Sequence, residues 1–236
     1  MSKEFKLDDE VYPPFEGFPL EGIKFLARLK KNNNRAWFAD HKSDYENFAK
    51  FPMQCLIDSL KAPMSKWAPE IDVNPKRGMF RIYKDTRFSK DKTPYKTHVA
   101  AVFHIKGHWQ ESAGFYLEIS PDGIYVGGGF YMPDKDQLKK IRDAISEQSK
   151  EFLSIIENGK FVKRFGTIQG EKLQRIPLGY PRDHFMGEWL KYKQFYTGVE
   201  WKVDECLNEK FIKKIVEVYK DLYPFVKFIN EALGKI

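Results

Sequence analysis

Apolar residues recur at helical spacing between residues 20 and 60, switch to strict alternation between residues 79 and 131, and return to helical spacing towards the C-terminus. The two periods cannot be satisfied by one kind of element, because a helix repeats every 3.6 residues and a strand every two. Met79-Phe80-Arg81-Ile82-Tyr83, His98 to Ile105, and Phe115-Tyr116-Leu117-Glu118-Ile119 all alternate, and Pro121-Asp122-Gly123 is a turn signal before Ile124-Tyr125-Val126. An Asp122-Gly123 loop would set Ile119 beside Val126. Helical segments lie on both sides of this cluster of strands and do not alternate with them. The predicted class is therefore α+β: an antiparallel β-meander at about residues 79–130, flanked by N-terminal and C-terminal helices.

The flanks carry recognisable helix boundaries. Ile23, Leu26, Ala27 and Leu29 mark a helix over residues 20–31, which Asn32, Asn33 and Asn34 stop. One of these asparagines can cap the next helix, at Ala36-Trp37-Phe38, and Pro52 fits the first turn of a further one. Asp134 and Gln137 fit a capping box before one long helix through Leu138, Ile141, Ile145, Phe152 and Ile155. Residues 158–182 read as loop, residues 183–193 as a helix, and residues 208–232 as a C-terminal helix kinked at Pro224. The expected organisation is an irregular lead-in over residues 1–18 and a single domain over residues 19–236.

Composition narrows the class. Of 236 residues, 42% are hydrophobic, 31% charged and 16% aromatic, which is enough apolar material for a sizeable core and argues against wholesale disorder. No apolar run reaches the roughly 18 residues of a membrane span, and the acidic first 20 residues have no apolar core of a secretory leader. Cys55 and Cys206 are too few for a disulfide scaffold and lack Cys-x-x-Cys spacing. They read as inert buried thiols, and the expected location is cytoplasmic, with no membrane partner. Oligomeric state is left open.

The charge is concentrated. Net charge is +7, yet residues 76–98 alone hold eight basic residues and two acids. Within them, Arg81-Ile-Tyr-Lys-Asp85-Thr-Arg87-Phe-Ser-Lys-Asp91-Lys92-Thr-Pro-Tyr95-Lys96 is too long, polar and basic for a simple turn. The segment resembles the signature of an uncharacterised family, domain of unknown function 2461, whose pattern is close to R-x-Y-R-D-x-R-F-S-K-D-K-x-P-Y-K. Lys84 stands where that family more often has Arg. The resemblance extends to Asn33–Phe38, to Gly114-Phe-Tyr-Leu-Glu, to the triple glycine with Tyr131 and Pro133, and to Asp183-His184, where the family more often has Pro after the histidine. It covers roughly residues 15–232 and implies kinship without an activity.

Read physically, Arg81, Lys84, Arg87, Lys92 and Lys96 suit phosphate or carboxylate, with Asp85 and Asp91 spacing the cations through salt bridges. Pro94 stiffens the segment beside Tyr95. Alternation groups Arg81 with Tyr83, Phe80 with Ile82, His98 with His104, and Tyr116 with Glu118. Glu118 and His98 are the candidate acid/base groups. Tyr95, Tyr116 and Tyr131 are candidates for stacking on a base or sugar. Trp37, Phe38, Trp67, Trp109, Trp189 and Trp201 read as core or rim anchors.

The partner this predicts is an anionic small molecule or nucleic acid. The alternatives are a metal-independent enzyme on a small anionic substrate, and a structural or interaction domain with no ligand. No cofactor or metal is implied: His98 and His104 lie about 20 Å apart along a strand, too far to share an ion. Gly127-Gly128-Gly129 has neither the Lys-Ser/Thr of a phosphate loop nor G-x-G-x-x-G spacing, and reads as a bulge against a neighbouring backbone. No G-x-S-x-G elbow is present.

Overall fold

The computed structural model describes residues 11–236 apart from Phe88 and Gln110. Most of the lead-in, residues 1–10, and Phe88 of the basic signature thus lie outside the described residues. Residues 11–19 have no regular secondary structure, but Tyr12, Phe15 and Phe18 are buried.

Helix α1 (Leu20–Lys31) follows the predicted span, buries Ile23, Phe25, Leu26 and Leu29, and carries Glu21 in its first turn and Arg28, Lys30 and Lys31 in its last. Those charges oppose the helix dipole at each end. Asn34 caps α2 (Arg35–Asp40), accepting the Trp37 N–H at 3.0 Å. Next come α3 (Lys42–Tyr45), a π-helical turn over Glu46–Lys50, α4 (Phe51–Ser65) and the single turn α5 (Pro75–Gly78). Pro52 has no N–H to offer the Phe48 carbonyl, so the α-helical ladder is interrupted at this point. Helix α1 crosses that carbonyl closely: a Cβ on Gly22 would lie 2.0 Å from Phe48 O.

The sheet is antiparallel with strands in chain order: β1 (Val99–Phe103), β2 (Gly114–Ser120), β3 (Gly123–Phe130) and β4 (Phe195–Trp201). Paired residues share a face. Leu117 pairs with Val126 and Ile119 with Ile124, so these apolar side chains meet as expected, but two residues out of the predicted register. The turn is Pro121-Asp122, and Gly123 already pairs with Ser120 at φ 156°, a backbone angle that suits glycine.

One face of the sheet packs on α10 (Lys210–Ala232), where Phe211, Ile215, Val218, Tyr219, Leu222 and Val226 are buried. Tyr219 and Phe115 rings meet at 4.6 Å. Each such fully buried large side chain is worth roughly 1.5–3 kcal/mol of transfer free energy. The other face carries Tyr116, Glu118, Tyr125 and Glu200, all at least partly exposed.

Four expectations are corrected. Residues 79–83 form no strand. They pair with β1 and the returning chain at the isolated bridges Met79↔Ala101 and Tyr83↔Tyr95. The fourth strand is β4, 65 residues after β3, from a segment rich in β-branched and aromatic residues. The long helix from residue 134 is two helices, α6 (Lys135–Glu147) and α7 (Ser149–Ile156), broken at Gln148 and followed by α8 (Gly159–Phe165). The helix read over residues 183–193 is one turn, α9 (Gly187–Leu190), whereas the C-terminal helix occupies its expected span as α10, with Pro224 inside it. The capping box of Asp134 and Gln137 is present as predicted. No helix among the described residues is long and apolar enough to cross a membrane.

Candidate functional site

The basic segment is an irregular hairpin. Lys96 N–H donates to Ile82 O at 2.8 Å and Lys84 N–H to Pro94 O at 2.9 Å, which closes the tip over residues 85–93. Two contacts from α2 and its approach hold the hairpin. The Asn33 carboxamide bonds both backbone groups of Tyr95, and the Phe38 and Tyr95 rings stack at 4.0 Å. Tyr95 is therefore buried against α2 and is a structural residue, not a stacking surface.

Much of the tip's charge is balanced internally. The Arg87 guanidinium grips Asp85 at 3.0 and 2.7 Å. Lys84 donates to Asp91 at 2.8 Å and to Thr93 at 2.7 Å. Lys92 donates to the Thr86 carbonyl at 2.8 Å. The bond from Arg87 pulls the Asp85 carboxyl down to about 2. The bond from Lys84, helped by Thr93, holds Asp91 well below the usual carboxylate range.

Arg81 and Lys96 are different. Among the described residues, neither has a hydrogen bond or ion pair through its side chain. Lys96 is half-buried, with its ammonium 4.7 Å from the centre of the Phe80 ring. Burial first, then the nearby Arg81 charge, push its pKa down, against the pull of Glu118.

Phe80 packs beside Tyr116 at 6.4 Å rather than joining Ile82 in the core. The alternation rule fails here because residues 79–83 are not a continuous strand.

Across the sheet face, Tyr116 Oη donates to Glu118 at 2.6 Å, and His98 Nε2 lies 3.7 Å from the same carboxylate oxygen. Burial lowers the His98 pKa and outweighs the Glu118 charge that raises it. Burial and the Glu118 bond raise that of Tyr116.

The Tyr125 ring lies over Gly127 and Gly198, where a Cβ would come within 2.7 Å of it. Among the described residues, its hydroxyl is buried without a hydrogen-bond partner. Tyr131, 59% exposed, meets Tyr196 edge-on at 5.2 Å.

His104 is not part of this group, because its Nδ1 is bonded to the Ser112 carbonyl at 2.8 Å. Among the described residues, no three His, Cys, Asp or Glu side chains cluster as metal ligands. The triple glycine lies inside β3, paired on both sides, rather than after the strand. A Cβ on Gly129 would fall 2.1 Å from Phe195 O, so close backbone approach explains it. Cys55 and Cys206 are buried free thiols, with burial pushing Cys206 up to about 12.

On its other flank the 75–83 segment walls a cleft of about 370 Å³ against α2, α3 and the π-helical turn. Lys42, Lys50, Lys76 and Arg81 line it with one acid, Glu46, which is bonded to Lys50 at 2.7 Å. Of these, only Lys76 and Arg81 belong to the basic run of residues 76–98. Lys42 and Lys50 sit some 35 residues earlier on a helix with no charge run, and only Pro52, where the ladder breaks, hinted at an unusual turn. Phe80 touches both the cleft and the sheet face, so Arg81 and Phe80 join the two surfaces.

No match is found among curated proteins or among solved structures. A family model described as a conserved hypothetical protein (DUF2461) matches residues 21–228, nearly the whole of the described fold including the basic hairpin, and the chain belongs to that family.

Proposed function

We propose that this chain binds an anionic, phosphate-bearing ligand, a small molecule or nucleic acid, at Arg81 and Lys96. The observation that carries the reading is the pair itself: two neighbouring cations that, among the described residues, have no side-chain hydrogen bond or ion pair, at the junction of a cleft and a polar sheet face. Holding like charges together has an electrostatic cost that an anion would offset. Arg87 and Lys84 become latches that shape the hairpin, and a preorganised hairpin lowers the ordering cost of binding.

The test is a thermal-shift screen of orthophosphate, nucleotides, phosphosugars and oligonucleotides at low and raised salt. The Arg81→Ala/Lys96→Ala protein should lose the ligand-induced shift that the wild type shows, and Arg87→Ala should keep most of it. A shift lost in Arg87→Ala but intact in the double variant would place the ligand at the hairpin tip and sink this version.

A second reading, a metal-independent enzyme with Glu118 or His98 as acid/base, is favoured by the Tyr116–Glu118–His98 line. Its test is turnover of the stabilising ligands by wild-type and Glu118→Gln protein. Ligands recovered unchanged from the wild type count against it.

A further inference from the structure

We infer that the cleft beside Arg81 takes the ring of a nucleoside monophosphate, so that the ligand is a single nucleotide and not a nucleic-acid strand. The inference rests on the anion reading above and narrows it to one ligand class.

At about 370 Å³ the cleft lies at the lower end of the range of small-molecule sites, which suits one nucleotide-sized body. Its walls include the rings of Phe38, Tyr45, Phe80 and Tyr83. Tyr83 is 50% exposed, yet its ring is held 5.3 Å from Tyr95 and 6.3 Å from Phe38. An aromatic ring that is both exposed and held in place is a stacking surface with little ordering cost. An inorganic anion alone would leave these rings unused.

Lys42 and Arg81 line the cleft from different elements, and neither has a hydrogen bond or ion pair among the described residues. Lys50 is engaged by Glu46. Lys42 thus adds to the Arg81–Lys96 pair, and so small a group of open cations matches one phosphate dianion. A strand of nucleic acid needs a track of cations along successive phosphates. The obvious track, the hairpin tip, has Arg87 and Lys84 bonded to carboxylates and Lys92 to a carbonyl.

The cleft wall that carries Glu46 and Lys50 is the π-helical turn, a rare element that is frequent at functional sites. It presents a carboxylate, already oriented by Lys50, as an acceptor for a sugar hydroxyl or an exocyclic amine.

The experiment is calorimetric titration of the full chain with AMP, adenosine, ribose 5-phosphate, orthophosphate and a twelve-nucleotide oligothymidylate. AMP should bind at least about tenfold tighter than ribose 5-phosphate or orthophosphate. Tyr83→Ala should erase that preference and leave orthophosphate affinity unchanged. Lys42→Ala, an exposed change that spares the fold, should weaken every phosphate ligand and not adenosine.

Equal affinity for AMP and orthophosphate overturns the ring subsite while leaving the anion reading intact. Tighter binding of the oligonucleotide, with a steep salt dependence and no effect of Lys42→Ala, overturns the single-nucleotide assignment. Absence of binding by any phosphate ligand overturns both.

Discussion

The carboxamide of Asn33 pairs with the backbone of Tyr95 as a strand would: Nδ2 donates to Tyr95 O at 2.9 Å and Oδ1 accepts the Tyr95 N–H at 3.0 Å. Two stretches 62 residues apart are joined by one side chain, and the returning limb of the basic hairpin is held against α2. Asn33→Ala should cost about 1–3 kcal/mol, because two part-buried backbone groups lose their partners together. Urea unfolding measures it. Asn33→Asp restores only the acceptor half and should fall between the two.

Asn230 repeats the device at the centre of the molecule. It is 1% exposed, and its carboxamide accepts from Ala113 N at 2.8 Å and donates to Ala113 O at 3.2 Å, fixing α10 to the start of β2. Solvent cannot replace these bonds as it can near Asn33. Asn230→Ala should therefore destabilise more than Asn33→Ala in the same urea experiment. Equal losses would mean that water enters the cavity and satisfies Ala113.

His98 makes stability depend on pH. Its folded pKa is lowered from the ordinary 6.5, chiefly by burial, so the fold favours the neutral ring. The contribution is fully present above pH 6.5 and is lost as pH falls from there through the folded pKa. His98→Gln should flatten that part of the stability profile. Glu118→Gln removes the charge that opposes the shift, and the His98 midpoint, followed by NMR, should move lower still.

Two glycines should respond in opposite directions to alanine. Gly129 has φ 127° and no room, with Phe195 O 2.1 Å from a built Cβ, so Gly129→Ala should sharply reduce the yield of folded protein. Gly159, in the first turn of α8, has nothing within 4 Å of a built Cβ and a negative φ. Gly159→Ala should raise stability by about 0.4–1 kcal/mol by restricting the unfolded chain, read as a higher melting temperature.

The hairpin shows how far local reading reached. Asp85 and Asp91 were expected to space the cations, and each does bond a basic neighbour in the segment. Those partners lie two and seven residues away, where chain connectivity alone brings charges together. The same local reading could not tell that Tyr95 would be buried, because its partners Asn33 and Phe38 come from another helix.

By itself the sequence determined the elements whose causes are local: α1 from its apolar spacing and flanking asparagines, the capping box of α6, the β2–β3 hairpin from its turn residues, and the family from its basic signature. Tertiary structure alone decided that β4 completes the sheet, that residues 79–83 leave it, and that Lys42 and Lys50 face Arg81 across a cleft. The physical reason is one of range. Periodicity and capping act over a single turn or pleat, whereas strand pairing, burial of Tyr95 and the meeting of distant charges depend on which surfaces the collapsed chain brings together.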